Sequence, residues 1–230
     1  MTIRAPVLFF LSALLALCSL TYELILAQIL SATLGGTLLR YSTVIGLFTL
    51  SLGMGSLLFG LRRNRGWNLM RTLFIAEFLL AVLGLVSPFF IVFLEPFRLH
   101  SELPLLFEFL FYLPVALIGL LSGFELPLLI AFCSHRGQEF RVLSADYLGM
   151  FAGSLLVPLF LYPRFGPFVG SLWVSLLNLT GAALILFEIP APRPRSFFVL
   201  LVLLGICLCF ALVSQGLWLD WIRQWFITSF

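Results

Sequence analysis

Four carboxylates stand inside long apolar runs of this 230-residue chain: Glu23, Glu77, Glu125 and Asp146. An ionisable side chain in such a run is costly and is by default a functional hypothesis; buried acids suit the binding of cations. Each also has a structural reading. Asp146 follows Ser144, a fair N-cap, and would complement a helix dipole. Glu125 precedes Pro127 and could do the same for a second half-helix. Glu77, Glu125 and Asp146 fall towards one end of their runs, within reach of the arginines at 62–71 or of Arg136 and Arg141, so ion pairing is the plain alternative for that cluster. Glu23 sits further out, with only Arg40 as an obvious partner, and either lines a polar cavity or pairs there. Glu108 and Glu188 lie near run ends and read as solvated or snorkelling.

The elements that must hold these acids are membrane helices. The chain is 62% hydrophobic and 10% charged, with a mean hydropathy of +1.15. A bilayer core needs about 20 apolar residues per helix, and helices satisfy their own backbone in lipid. The fold class expected is all-α: a polytopic bundle of about seven transmembrane helices over residues 1–215, then an aromatic interfacial tail over 216–230. The spans run from about Pro6 to Leu30, Tyr41 to Leu61, Met70 to Leu94, Pro104 to Cys133, Ser144 to Pro163, Gly166 to Glu188 and Phe197 to Gln215. The fourth is too long for one straight crossing, and Gly119, Gly123 and Pro127 in GLLSGFELPLL predict a kink or break. The first could pass for a signal peptide ending at Cys18, but its apolar run continues through Leu30 and reads as an uncleaved helix. In the tail, Trp218, Trp221 and Trp225 share one helical face and predict an interfacial anchor or a docking helix.

Small residues let membrane helices approach closely. Gly46, Ser51, Gly53, Gly55, Ser56 and Gly60 on the second helix, with Gly149 and Gly153 on the fifth, are the expected packing positions. All thirteen basic residues are arginine. Nine (Arg4, Arg62, Arg63, Arg65, Arg71, Arg136, Arg141, Arg193, Arg195) fall on the side of the N-terminus and four (Arg40, Arg98, Arg164, Arg223) on the other. The positive-inside rule then places the N-terminus in the cytoplasm, at a bacterial inner membrane. A net charge of +3 spread over short loops excludes a nucleic-acid surface. Cys18, Cys133, Cys207 and Cys209 read as small hydrophobes, and no catalytic residue, metal or cofactor is expected, because no motif that would carry one is present. His100 and His135 fall on opposite sides.

The strings YELILAQILSATLGG, YSTVIGLFTLSLGMGS, FIAEFLLAVLG, LIGLLSGFELPLL and ADYLGMFAGSLLVPLFLYPRFGP occur in this order. Together they resemble the N-terminal membrane domain of the membrane-fused spermidine synthases, the polyamine aminopropyltransferase-like proteins, over residues 20 to 170. Glu23, Gly46, Gly53, Gly55, Glu77, Gly123, Glu125, Pro127, Asp146, Gly149, Pro158, Pro163 and Gly166 fall on that family's pattern. The resemblance implies a soluble catalytic domain after the last span, and the chain stops at Phe230. The expectation drawn is a non-enzymatic membrane subunit or scaffold, with other membrane or soluble subunits and a separate aminopropyltransferase-like chain among its partners. The alternatives are a transporter or binding protein for polyamines or other organic cations using the buried acids, and the membrane half of a split aminopropyltransferase.

Overall fold

In the computed structural model residues 3–62, 68–100, 102–133, 137–189 and 195–229 are described. The elements are α1 (Ala5–Leu34), α2 (Thr37–Arg62), α3 (Leu69–Leu99), α4 (Pro104–Ala131), α5 (Gln138–Leu156), a π-helical turn (Val157–Leu161), α6 (Tyr162–Glu188), α7 (Arg195–Val213) and α8 (Gln215–Ser229). No strand occurs among the described residues. Local sequence accounts for the helix ends. Pro6 and Pro104 sit in the first turns of α1 and α4, where a missing N–H costs nothing. Asn68 caps α3, its side chain accepting from the Arg71 N–H at 3.3 Å. Gly35 and Gly36, at φ 72° and 68°, make the tight link between α1 and α2 that a Cβ would strain.

Six helical runs are long and apolar enough to cross a membrane. The fifth, Gln138–Glu188, is 51 residues long, about 77 Å if straight, and it is not straight. Gly149 lies against Ala13 and Gly153 against Leu17, so α5 runs parallel to α1. Gly170 then meets Ile25 and Gly181 meets Leu15, so α6 returns antiparallel. The chain reverses at Gly166, whose φ of 69° and ψ of 176° belong to a region that only glycine occupies readily.

Helix α1 is the axis of the bundle. Around it stand α2, α4, α3 and α6, each packed on the next; α5 packs along α1, touches α4, meets α6 through the π-helical turn, and leaves an opening towards α2. Helix α7 packs on the outside of α6 and α3, where the rings of Phe74 and Phe197 stack at 4.4 Å. Helix α8 folds back on α3: Trp218 meets Phe89 at 5.2 Å, Trp221 meets Phe93 at 5.4 Å, and Trp218 Nε1 donates to the Ala211 carbonyl at 2.8 Å. The Trp225 side chain lies outside the described residues.

Two expectations are corrected here, the one for α4 only in part. Helix α4 is one continuous helix with Pro114 and Pro127 inside it, so it is not broken into two half-helices. Its glycines serve contact: a Cβ on Gly119 or Gly123 would run into the backbone of Phe48 or Leu52 on α2. Helix α5 begins at Gln138 after a left-handed Gly137, so Ser144 does not cap it. The Ser144 hydroxyl donates instead to the Phe140 carbonyl at 2.8 Å, and Asp146 sits in the helix interior.

Candidate functional site

The packing glycines decide where space is left. At Gly55, Gly149 and Gly153 an added Cβ would strike the backbone of Leu120, Ala13 and Leu17. Two seams, α2 on α4 and α1 on α5, are thereby closed to backbone distance. Ser51 is buried against Gly119 in the first seam. Gly46, Gly53 and Gly60 lie on the opposite, exposed face of α2 and meet nothing within 4 Å.

Between the two seams, in the opening of the ring, lies a cleft of about 100 Å³. Glu23 of α1, Ser122 and Glu125 of α4 and Asp146 of α5 line it, with Phe48, Leu52 and Met150 among its apolar walls. Glu23 and Asp146 lie towards opposite ends of this cleft, since Gly149 is level with Ala13 and Gly153 with Leu17 on the parallel α1. Glu23 and Glu125 are only 7% and 6% exposed; Asp146 is half-buried. The Oε1 of Glu125 and the hydroxyl of Ser122 are buried with no well-formed hydrogen bond among the described residues, although Ser122 lies close enough to act on Glu125.

Glu77 stands apart from the cleft. It is fully buried between α3 and its neighbours, and neither carboxyl oxygen has a partner among the described residues. Asn178 of α6 donates from Nδ2 to the Glu77 carbonyl at 3.3 Å. Both Glu77 and Asp146 act electrostatically on Glu125, whereas Glu23 shares the cleft lining with Glu125 and Asp146 without such a link. Sequence reasoning grouped Glu77, Glu125 and Asp146 and set Glu23 aside. No ion pair joins any of the four to an arginine among the described residues; the side chains of Arg62, Arg63, Arg65 and Arg136 lie outside them. Arg40 is taken by Glu108, 3.2 Å away, and by the Tyr112 hydroxyl at 2.9 Å.

Sequence reasoning also missed a polar seam at mid-bundle. The Tyr22 hydroxyl donates to Ser175 Oγ at 3.3 Å, Ser175 donates to the Ser171 carbonyl at 2.9 Å, and Ser171 donates to the Gly84 carbonyl at 2.6 Å. Ser171, Ser175 and Asn178 share one face of α6 at helical spacing, the one signal that could have exposed it. Glu95 was missed as well: it is buried and paired with Arg98 at 2.6 Å.

No protein-family model and no solved structure matches the chain. Curated relatives do. A polyamine aminopropyltransferase of Ralstonia nicotianae is 37% identical over 157 residues, 66% of this chain and 29% of its own length. One from Streptomyces coelicolor is 30% identical over 181 residues, 74% of this chain and 32% of its own. One from Oceanobacillus iheyensis is 28% identical over 189 residues, 80% of this chain and 36% of its own. The chain thus spans about a third of the length of the curated relatives it matches. These matches overturn the expectation of a non-enzymatic scaffold and its transport alternative, and point to an enzyme-like function instead. Over most of its length, the chain is related to the polyamine aminopropyltransferases.

Proposed function

We propose that the chain is the membrane-embedded part of an aminopropyltransferase-type enzyme that works on polyamines. The carrying observation is the run of relatives of that name, which align with 65% to 80% of the chain at 28% to 37% identity. The catalytic part corresponds to the two thirds of those relatives that the match leaves uncovered. In this reading the bundle crosses a bacterial cytoplasmic membrane seven times, because the run 138–188 doubles back at Gly166. The N-terminus is cytoplasmic, on the arginine-rich side, and the partners are the bilayer and the transferase part.

The test is to isolate the full protein from its native membrane in mild detergent and assay aminopropyl transfer from decarboxylated S-adenosylmethionine to putrescine. Transfer activity that follows the protein through two columns supports the reading. An inactive preparation, together with unchanged cellular spermidine after deletion of the gene, refutes it.

A further inference from the structure

We infer that Glu77, Asn178, Ser122 and Glu125 enclose an internal water site between α3 and its neighbours α4 and α6. Among the described residues, the buried side-chain atoms left without a hydrogen bond are both carboxyl oxygens of Glu77, Oε1 of Glu125, the Ser122 hydroxyl and Oδ1 of Asn178. These atoms gather in one place. Asn178 is tied to Glu77, because its Nδ2 donates to the Glu77 backbone carbonyl at 3.3 Å. Glu77 and Ser122 both act on Glu125, and Ser122 stands one turn before it on α4. Glu77 and Asn178 are completely buried, and Ser122 and Glu125 are 3% and 6% exposed. The helices that carry them pack directly, α3 on α4 and α3 on α6.

The set is short of donors. Amide and carboxylate oxygens only accept, the hydroxyl offers a single donor, and a proton on a carboxyl adds one more. No arginine pairs with either acid among the described residues, and no group there is placed to hold a metal ion. Water gives two donors, accepts in return, and typically makes about three hydrogen bonds to buried polar groups of this kind. Room and a way in are both present. Ser122 and Glu125 also line the cleft of about 100 Å³, which is space for several waters. The orphaned atoms therefore continue the polar side of the cleft inwards to Glu77 and Asn178. Water bound along that line joins the two acids to Asn178 and ties α3 to both neighbours, at nearly the enthalpy of direct hydrogen bonds.

The experiment exposes the full protein in nanodiscs to brief X-ray pulses, which turn water into hydroxyl radicals where it stands, and reads side-chain oxidation by mass spectrometry. Cys18 is the reporter: it is 1% exposed, and Glu77 and Glu125 both act on it. Phe111, 0% exposed among apolar neighbours, is the dry control. With water in the site, Cys18 is oxidised roughly tenfold faster than Phe111 once each is corrected for its intrinsic reactivity, and Asn178→Leu and Glu77→Leu each remove most of that excess. Circular dichroism and monodisperse elution check each variant's folding, and Ser122→Ala replaces any variant that fails them. Oxidation of Cys18 no faster than that of Phe111 overturns the inference and means that the acids' own protons close a dry seam. Fast oxidation of Cys18 that the folded variants keep overturns it as well, because the water then sits elsewhere.

Discussion

Replacing Gly149 by alanine tests how the bundle is held together. A Cβ built there stands 2.8 Å from the carbonyl carbon of Ala13 and 2.9 Å from its Cα, and nearer still to its carbonyl oxygen. All three are backbone atoms, so no side-chain rotation relieves the clash. Ordinary carbon contacts begin near 3.5 Å, and α1 and α5 must therefore separate by about 1 Å locally. If roughly 40 atom contacts of ~0.1–0.2 kcal/mol each lose a quarter to a half of their depth, the loss is about 1–4 kcal/mol. The hydrogen bond from Ser12 to the Val142 carbonyl, 2.9 Å long in the same seam, adds about 0.6 kcal/mol if it breaks. Alanine's helix propensity returns up to about 1 kcal/mol, and Gly53→Ala removes that gain from the comparison. Gly53 is equally helical, but a Cβ there meets nothing within 4 Å. Between the two variants a stability gap of about 2 kcal/mol is expected, within the usual range for overpacking, or about 4–8 °C in thermal midpoint for a chain of this size. Thermal unfolding in detergent, followed by size-exclusion chromatography with fluorescence detection, measures it. Equal midpoints for Gly149→Ala and Gly53→Ala would refute the reasoning.

Further perturbations probe other contacts. Gly84→Ala drives a Cβ into the Tyr22 ring and the Ser175 hydroxyl and should lower stability by about 1–3 kcal/mol, read in the same unfolding assay; Tyr22→Phe loses only a 3.3 Å hydrogen bond and should cost about 0.6 kcal/mol. Gly166→Ala forces a side chain onto φ 69°, ψ 176° and should cost about 1–3 kcal/mol, although the added atom meets nothing within 4 Å. Arg40→Gln removes the pair with Glu108, whose side chain is 39% exposed, and should change stability by less than about 1 kcal/mol.

The sequence made the helices legible because apolar runs of bilayer length have one economical backbone solution. It did not reveal which face of a helix turns inward. Helix α2 carries small residues on both faces: Gly55 meets Leu120 and Gly123, while Gly46, Gly53 and Gly60 face outward. Glycine spacing is the same on either face, and only the partner's backbone distinguishes them. The GFELPLL string suggested a break for a related reason, since Gly123 permits a break and permits close approach equally, and the contact with Leu52 on a continuous α4 selects approach. The acids were visible as residue types, and Glu77, Glu125 and Asp146 were grouped by their place along the runs. That Glu23 lines one cleft with Glu125 and Asp146 depends on how α1, α4 and α5 pack, which leaves no mark at any of the three positions.

That parallel pairing makes a topological prediction in the run 138–188. A single crossing would place positions 137 and 190 on opposite sides of the membrane. A reversal at Gly166 returns the chain, so both lie on one side and position 165 lies on the other. The packing requires the second arrangement: Gly149 and Gly181, 32 residues apart, rest against α1 at Ala13 and Leu15, only about 3 Å apart along that helix axis. Reporter fusions that read cytoplasmic or exported sides, truncated after 137, 165 and 190, decide between them. Matching signals at 137 and 190 with the opposite signal at 165 are expected, and the arginine bias makes the shared side cytoplasmic. Opposite signals at 137 and 190 would mean that α5 and α6 do not form a hairpin, because Gly149 and Gly181 could then not both rest against the same stretch of α1.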